Sequence, residues 1–178
     1  MENVNTPTVD FGDLQQKFLN AIASPQYDTL VNLFLKCKKV YIIGHGGMYF
    51  MAAHGATDMT RLIPGKSVYS FDNVGFITSL ANDYGYDNLF TSWLKSSVLG
   101  VEDRQSTLIL GLSCSGNSPS IIDALKWGAS NYFHAFLISG VKSKRLPAVF
   151  NEVLPTSIDD LVLDCENFHT AEVLTLML

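Results

Sequence analysis

Residues 107 to 118, Thr-Leu-Ile-Leu-Gly-Leu-Ser-Cys-Ser-Gly-Asn-Ser, carry an apolar run straight into hydroxyls and a glycine and then toward a helix. A bend of that composition suits an anion. Ser113, Ser115 and Ser118 can each donate a hydroxyl proton, and Gly116 lets the backbone turn tightly. A helix opening near Asn117 adds unpaired N–H groups and a positive dipole end. A phosphate dianion is accommodated there without a lysine. The plainer reading is an N-capped helix with Pro119 in its first turn. One cap needs one such residue, and three serines around a glycine exceed that need, so anion binding ranks first. A second turn, Gly44-His45-Gly46-Gly47, presents an imidazole that could meet a hydroxyl or a phosphate oxygen, or merely fill space. It superficially matches a dinucleotide fingerprint but lacks the third glycine and an acidic ribose ligand.

Both turns need strands ahead of them and helices behind. Apolar spacing of helical period runs from Phe11 to Ser24 and from Tyr27 to Cys37, which predicts two N-terminal helices. Lys39 to Ile43 reads as a buried strand, released by Gly44 into a helix reaching about Thr60. Ser67 to Phe71 is a second strand. Asn73 to Ala81 and Asn88 to Leu99 are expected helices around a turn at Asn82 to Tyr86. Thr107 to Leu112 is the strand before the serine bend, and Pro119 to Gly128 the helix after it, with Gly128 as C-cap. Phe133 to Ile138 and Ala148 to Val153 complete the strands, and Asp164 to Leu178 is a closing helix. Continuously apolar strands alternating with helices indicate a parallel sheet covered on both faces. Ligands in such sheets bind at the carboxyl ends of strands, where both turns lie.

The 178 residues fit one domain, with 47% hydrophobic content for its core. No linker or repeat divides them, and Met1 to Asp10 is the one segment expected to be a flexible appendage. The chain ends at Leu178 inside an apolar stretch, as if native residues follow. The apolar runs fall far short of the roughly 18 residues of a membrane span, and no signal core opens the chain, so a cytoplasmic protein without membrane partners is expected. Cys37, Cys114 and Cys165 show no CxxC spacing, which argues against a disulfide framework or zinc finger. A formal net charge of −5 gives no attraction for nucleic acid. With 16% charged residues there is apolar surface to hide, and self-association is the simplest outlet. His134 reads as structural, Trp93 and Trp127 as core or subunit interface.

Three ordered blocks make the chain resemble the SIS sugar-isomerase family, within it the phosphoheptose isomerase and DiaA-like branch. Gly44-His45-Gly46-Gly47-Met48 is followed by His54 and Asp58 where that family has Gly-Asn-Gly-Gly-Ser and His-x-x-x-Glu. Ala81 to Tyr86 matches Ala-Asn-Asp-Tyr-Gly-Tyr, and Ser113 to Ser118 nearly matches Ser-Thr-Ser-Gly-Asn-Ser. The resemblance implies a three-layer αβα sandwich with a mainly parallel five-stranded sheet, assembled as a homotetramer or homodimer. It implies a phosphorylated sugar as partner and conversion of sedoheptulose 7-phosphate to D-glycero-D-manno-heptose 7-phosphate. The alternative it carries is a non-catalytic sugar-phosphate-binding or protein-scaffolding regulator.

Aldose-ketose exchange moves a proton between adjacent carbons through an enediolate, which requires a base, an acid and oxyanion stabilisation. The resemblance assigns the base to Asp58 and the acid to His169 or Glu166. It assigns substrate contacts to His45, Gly46, Gly47, Asn82, Asp83, Ser113, Cys114, Ser115, Asn117 and Ser118, and a zinc to His54, Asp58 and Glu166. His54 and Asp58, four apart, share one helix face, as do Glu166 and His169, three apart. An isolated pair of either kind is otherwise a solvated helix face. The chain departs from the family pattern in several places: Asp58 is one methylene shorter than Glu, His45 and Met48 replace Asn and Ser, Cys114 replaces Thr, Glu166 takes a Gln position, and Leu174 stands where a second His would fall.

Overall fold

Six residues from Lys39 to Gly44 (β1) alternate their side chains between two apolar layers, and the architecture follows from that alternation. The computed structural model describes residues 11–98, 104–139 and 152–155. Phe11–Ile22 (α1) and Pro25–Lys36 (α2) precede β1, and Gly47–Leu62 (α3) leads to Ser67–Ser70 (β2). Val74–Tyr84 (α4) and Leu89–Ser97 (α5) lead to Thr107–Ser113 (β3). Pro119–Ser130 (α6), His134–Ser139 (β4) and Glu152–Pro155 (β5) complete the described elements. The order is β2-β1-β3-β4-β5, every pairing parallel. Val40 and Ile42 of β1 face Leu30 and Phe34 of α2 and Met51, Ala52 and Met59 of α3. Tyr41 and Ile43 face Leu80 of α4, Phe90 and Trp93 of α5 and Ile121 and Leu125 of α6. Successive strand residues point to opposite faces, so one strand feeds two cores and the sheet lies between two helix layers.

Of the expected five-stranded sheet, four strands, β2-β1-β3-β4, form the body, and among the described residues the four-residue segment Glu152–Pro155 adds at the β4 edge. Of the expected strand Ala148 to Val153, Glu152 and Val153 lie in this segment and residues 148–151 lie outside the described residues; the segment ends at Pro155, a residue without the N–H a ladder needs. Two further boundaries differ. The expected turn at Asn82 to Tyr86 is still helix through Asn82 and Asp83, because Leu80 and Ala81 pack on the sheet and hold the last turn until Gly85. Gly128 is no C-cap. It lies two residues inside α6, where a Cβ would stand 2.6 Å from Ile109 Cδ1, and its missing side chain lets the helix close on β3.

The end of α6 carries a strained residue. Phe133 N–H donates to the Gly128 carbonyl at 3.1 Å, which forces Tyr132 to φ 68°, and its ring is 75% exposed. A left-handed conformation costs a non-glycine residue about 1–2 kcal/mol, and no packing offsets it here. Tyr132→Gly should raise the melting temperature by about 2–4 °C in a thermal melt, whereas Tyr132→Ala, which keeps the Cβ, should not.

Candidate functional site

β1 and β3 are neighbours, yet the chain leaves them in opposite directions: α3 carries it from β1 to β2 on one side, α6 from β3 to β4 on the other. Such a point opens a crevice beyond the carboxyl ends of the two strands. Gly44 pairs in register with Leu112, so the turn at His45 and the bend at Ser113 begin side by side. The convergence is sealed by a bond across it. His45 Nε2 lies 2.6 Å from Ser120 Oγ, in the first turn of α6. Its Nδ1 lies 2.9 Å from the Tyr86 hydroxyl. The ring is stacked on Tyr86 at 5.0 Å and tilted against Phe90 at 4.7 Å. Gly46 and Gly47, on either side of the start of α3, keep the turn free of side chains next to this imidazole.

In the bend itself Gly116 takes φ 62°, the left-handed region that favours glycine, and its N–H donates to Ser113 Oγ at 3.1 Å. Ser118 Oγ stands 3.4 Å from Ser113 Oγ, and Ser115 Oγ accepts the Asn117 N–H at 3.2 Å. Ser118 occupies the N-cap of α6 but makes no side-chain cap bond. Helix capping therefore does not account for its hydroxyl, which faces Ser113 across the bend. The Asn117 Oδ1 atom is buried and meets no partner among the described residues. An unsatisfied buried acceptor is costly, and a ligand hydroxyl is the kind of group that would relieve it. The Cys114 side chain packs against the apolar layer below, which leaves its backbone as the part turned to the bend.

Asn82 and Asp83 lie in the last turn of α4, shortly before Gly85 and Tyr86, on the surface. Asn82 Nδ2 donates to Asp83 Oδ1 at 3.0 Å, and Ser79 Oγ is 3.4 Å from Asp83 Oδ2. His54 and Asp58 are placed differently. At about 1.5 Å of rise per residue they lie roughly 10 and 16 Å along α3 from Gly47, so one chain does not bring them to the bend. Asp58 Oδ2 is 3.2 Å from His54 Nε2, and Asp58 Oδ1 accepts from Arg61 Nη2 at 3.0 Å. A guanidinium already fills the carboxylate, and no group of three His, Cys, Asp or Glu among the described residues could hold a metal. His54 and Asp58 are two of the three expected zinc ligands, and the third, Glu166, lies outside the described residues. His169 lies outside them as well.

Burial pushes the His45 imidazole below its ordinary value near 6.5. His134, 3.4 Å from Lys36 Nζ, is also lowered, first by burial and then by the Lys36 charge, against a raising hydrogen bond to the Gln105 backbone. Both groups bind protons more weakly folded than unfolded. Their stabilising contribution is present above pH 6.5 and is lost as pH falls from there toward the folded values. Melting temperature should fall between pH 7.5 and pH 5.5, and the fall should shrink in His134→Gln.

Sequence reasoning missed Ser120 and Tyr86 as site residues. Ser120 is an ordinary first-turn serine in sequence, and its partner is 75 residues away. Tyr86 closes the Ala81 to Tyr86 block, which was the available signal. No helix among the described residues is long and apolar enough to cross a membrane.

No protein-family model matches the chain. Among curated proteins it is 30% identical over 111 residues to a phosphoheptose isomerase of Buchnera aphidicola, covering 60% of this chain and 55% of that protein. It is 35% identical over 106 residues to the phosphoheptose isomerase of Fusobacterium nucleatum, covering 54% of this chain and 50% of that one. The chain thus spans about half the length of these curated relatives. Its fold superposes on the solved phosphoheptose isomerase of Neisseria gonorrhoeae with a TM-score of 0.77 at 21% identity, covering 94% of this chain and 91% of that one.

Proposed function

We propose that this SIS-domain chain, a member of the phosphoheptose isomerase branch of its family, interconverts an aldose and a ketose phosphate, namely sedoheptulose 7-phosphate and D-glycero-D-manno-heptose 7-phosphate. The observation that carries the reading is the serine bend at the switch point, tied by His45 to the neighbouring turn. Ser113, Ser115 and Ser118 with the first turn of α6 hold the phosphate. Asn117 and the rim at Asn82 and Asp83 meet sugar hydroxyls. The curated relatives above are isomerases by name, which favours turnover over a purely regulatory role.

Asp58 serves as base in this reading, and its distance from the bend gives that role a condition. It must face the crevice of a second copy. Phe50, His54, Asp58 and Leu62 recur at one-turn spacing on α3, with Phe50 67% and Leu62 65% exposed, an apolar-ended stripe for such a copy to cover. The reading therefore includes a homodimer or homotetramer, a cytoplasmic location, where phosphorylated sugars are held, and no nucleic-acid partner. A coupled assay on sedoheptulose 7-phosphate is expected to show turnover, with kcat reduced at least about 100-fold in Asp58→Asn. In light scattering the wild type is expected above monomer mass and Phe50→Glu at monomer mass. A wild type that binds the sugar phosphate without converting it would transfer the reading to the regulatory alternative.

A further inference from the structure

We propose that Tyr86 carries the proton between the two reacting oxygens of the sugar, with His45 holding it in transit and Ser120 fixing the imidazole. The inference rests on the isomerase reading and adds a proton route that the base alone does not supply.

The two ring nitrogens of His45 are not equivalent. Nε2 meets Ser120, whose side chain is 2% exposed, so no ligand reaches that edge. Nδ1 meets the hydroxyl of Tyr86, a residue that is 58% exposed and so reachable from solvent. The rings of Tyr86 and Phe90, 5.0 and 4.7 Å away between centroids, pack against the imidazole and restrict its rotation. A neutral imidazole has one donor and one acceptor nitrogen. With Nε2–H donating to Ser120 Oγ, Nδ1 is the acceptor and Tyr86 O–H donates to it. The three groups then form one directed chain whose outer end is a phenol oxygen with a lone pair for the ligand. They come from three elements: the turn after β1, the turn before α5 and the first turn of α6.

Isomerisation needs such a chain. When the base removes a proton from C1 of the ketose, the enediolate carries its charge on the C2 oxygen and a hydroxyl on C1. For the aldose to form, the base must return its proton to C2, the C1 hydroxyl must lose its proton and the C2 oxygen must gain one. Tyr86 Oη takes the proton from the C1 hydroxyl as its own proton passes to His45 Nδ1, and the imidazolium is held through Nε2–H to Ser120. In the return step the Nδ1 proton goes back to Tyr86 and the phenol delivers its proton to the C2 oxygen. One O–H bond breaks, one forms, and tyrosine and histidine end as they began. The buried setting that disfavours the imidazolium makes its return of the proton prompt.

Tyr86→Phe keeps the stacked ring and removes the oxygen. It is expected to lower kcat for sedoheptulose 7-phosphate at least about 100-fold while calorimetry finds affinity for the sugar phosphate within about threefold of wild type. His45→Gln is expected to cost a similar factor, and the double variant no more than either alone, because the two residues serve one step. Nitrogen-15 NMR is expected to show His45 protonated at Nε2 in the wild type and a mixed tautomer in Ser120→Ala, a signature that a space-filling serine would not move. Wild-type kcat in Tyr86→Phe, additive losses in the double variant, or an unchanged tautomer in Ser120→Ala would each overturn the proposal with the isomerase reading intact. A wild type without turnover would overturn both.

Discussion

Replacing Ser118 by aspartate should leave the protein at least as stable as before and weaken binding of sedoheptulose 7-phosphate by about 100-fold or more. The two halves of that expectation come from one position. Ser118 is the N-cap of α6, and aspartate there can accept a first-turn N–H and complement the positive dipole end, so the helix loses nothing. The same carboxylate places a negative charge where the proposed reading puts the phosphate. Two unit charges about 4 Å apart repel by roughly 4 kcal/mol at an effective dielectric near 20, and a dianion is repelled more. Ser118→Ala removes only a hydroxyl bond to a charged group, worth about 1.5–3 kcal/mol, or roughly 10- to 100-fold in affinity. Calorimetry beside a thermal melt reads both quantities on each variant. Unchanged affinity in Ser118→Asp would reduce the bend to a helix start, since a cap does its work with either residue.

The central strands β1, β3 and β4 were legible because each carries an apolar run between punctuating residues, and the buried pattern of β3, Thr107–Ser113, is what a strand covered on both faces must have. Helix ends were less so. Asn82 and Asp83 favour turns locally, but Leu80 packed under the sheet outweighs that preference, and Gly128 looks like a cap until the contact of α6 with Ile109 is known. The serine bend and the His45 turn were each visible, since their composition exceeds what a turn requires. Their adjacency was not, because strand order is a property of the whole sheet. Ser120 and Tyr86 stayed hidden for the same reason: neither has an unusual local setting, and what distinguishes them is a histidine brought to both by the pairing of β1 with β3. The distance of Asp58 from the bend follows from helical rise alone, but only once the bend is known to sit beside the turn that starts α3.

Gly44→Ala should disable the site and destabilise the fold together, by about 1–3 kcal/mol. Gly44 ends β1, and α3 turns back so closely over it that a Cβ would stand 2.8 Å from the backbone carbonyl carbon, the carbonyl oxygen and the Cβ of Met48. A flexible side-chain end could move aside, whereas two of these atoms are backbone at the first turn of α3. Relief requires the helix to lift from the sheet, which also carries Met48 and Met51 out of the layer they share with Val40 and Ile42. His45 is the next residue, and its Nε2 contact with Ser120 at 2.6 Å cannot survive a shift of an ångström. Sugar-phosphate turnover should fall with it even where the variant still folds, because the imidazole loses the partner that sets its tautomer. Gly75→Ala is the matched control: in exposed α4 a Cβ meets only Asn73 Oδ1, at 3.4 Å, and alanine there should gain a few tenths to 1 kcal/mol of helix stability with full activity. If both variants melted alike and turned over alike, the close approach of α3 to β1 would not be what holds His45 in place.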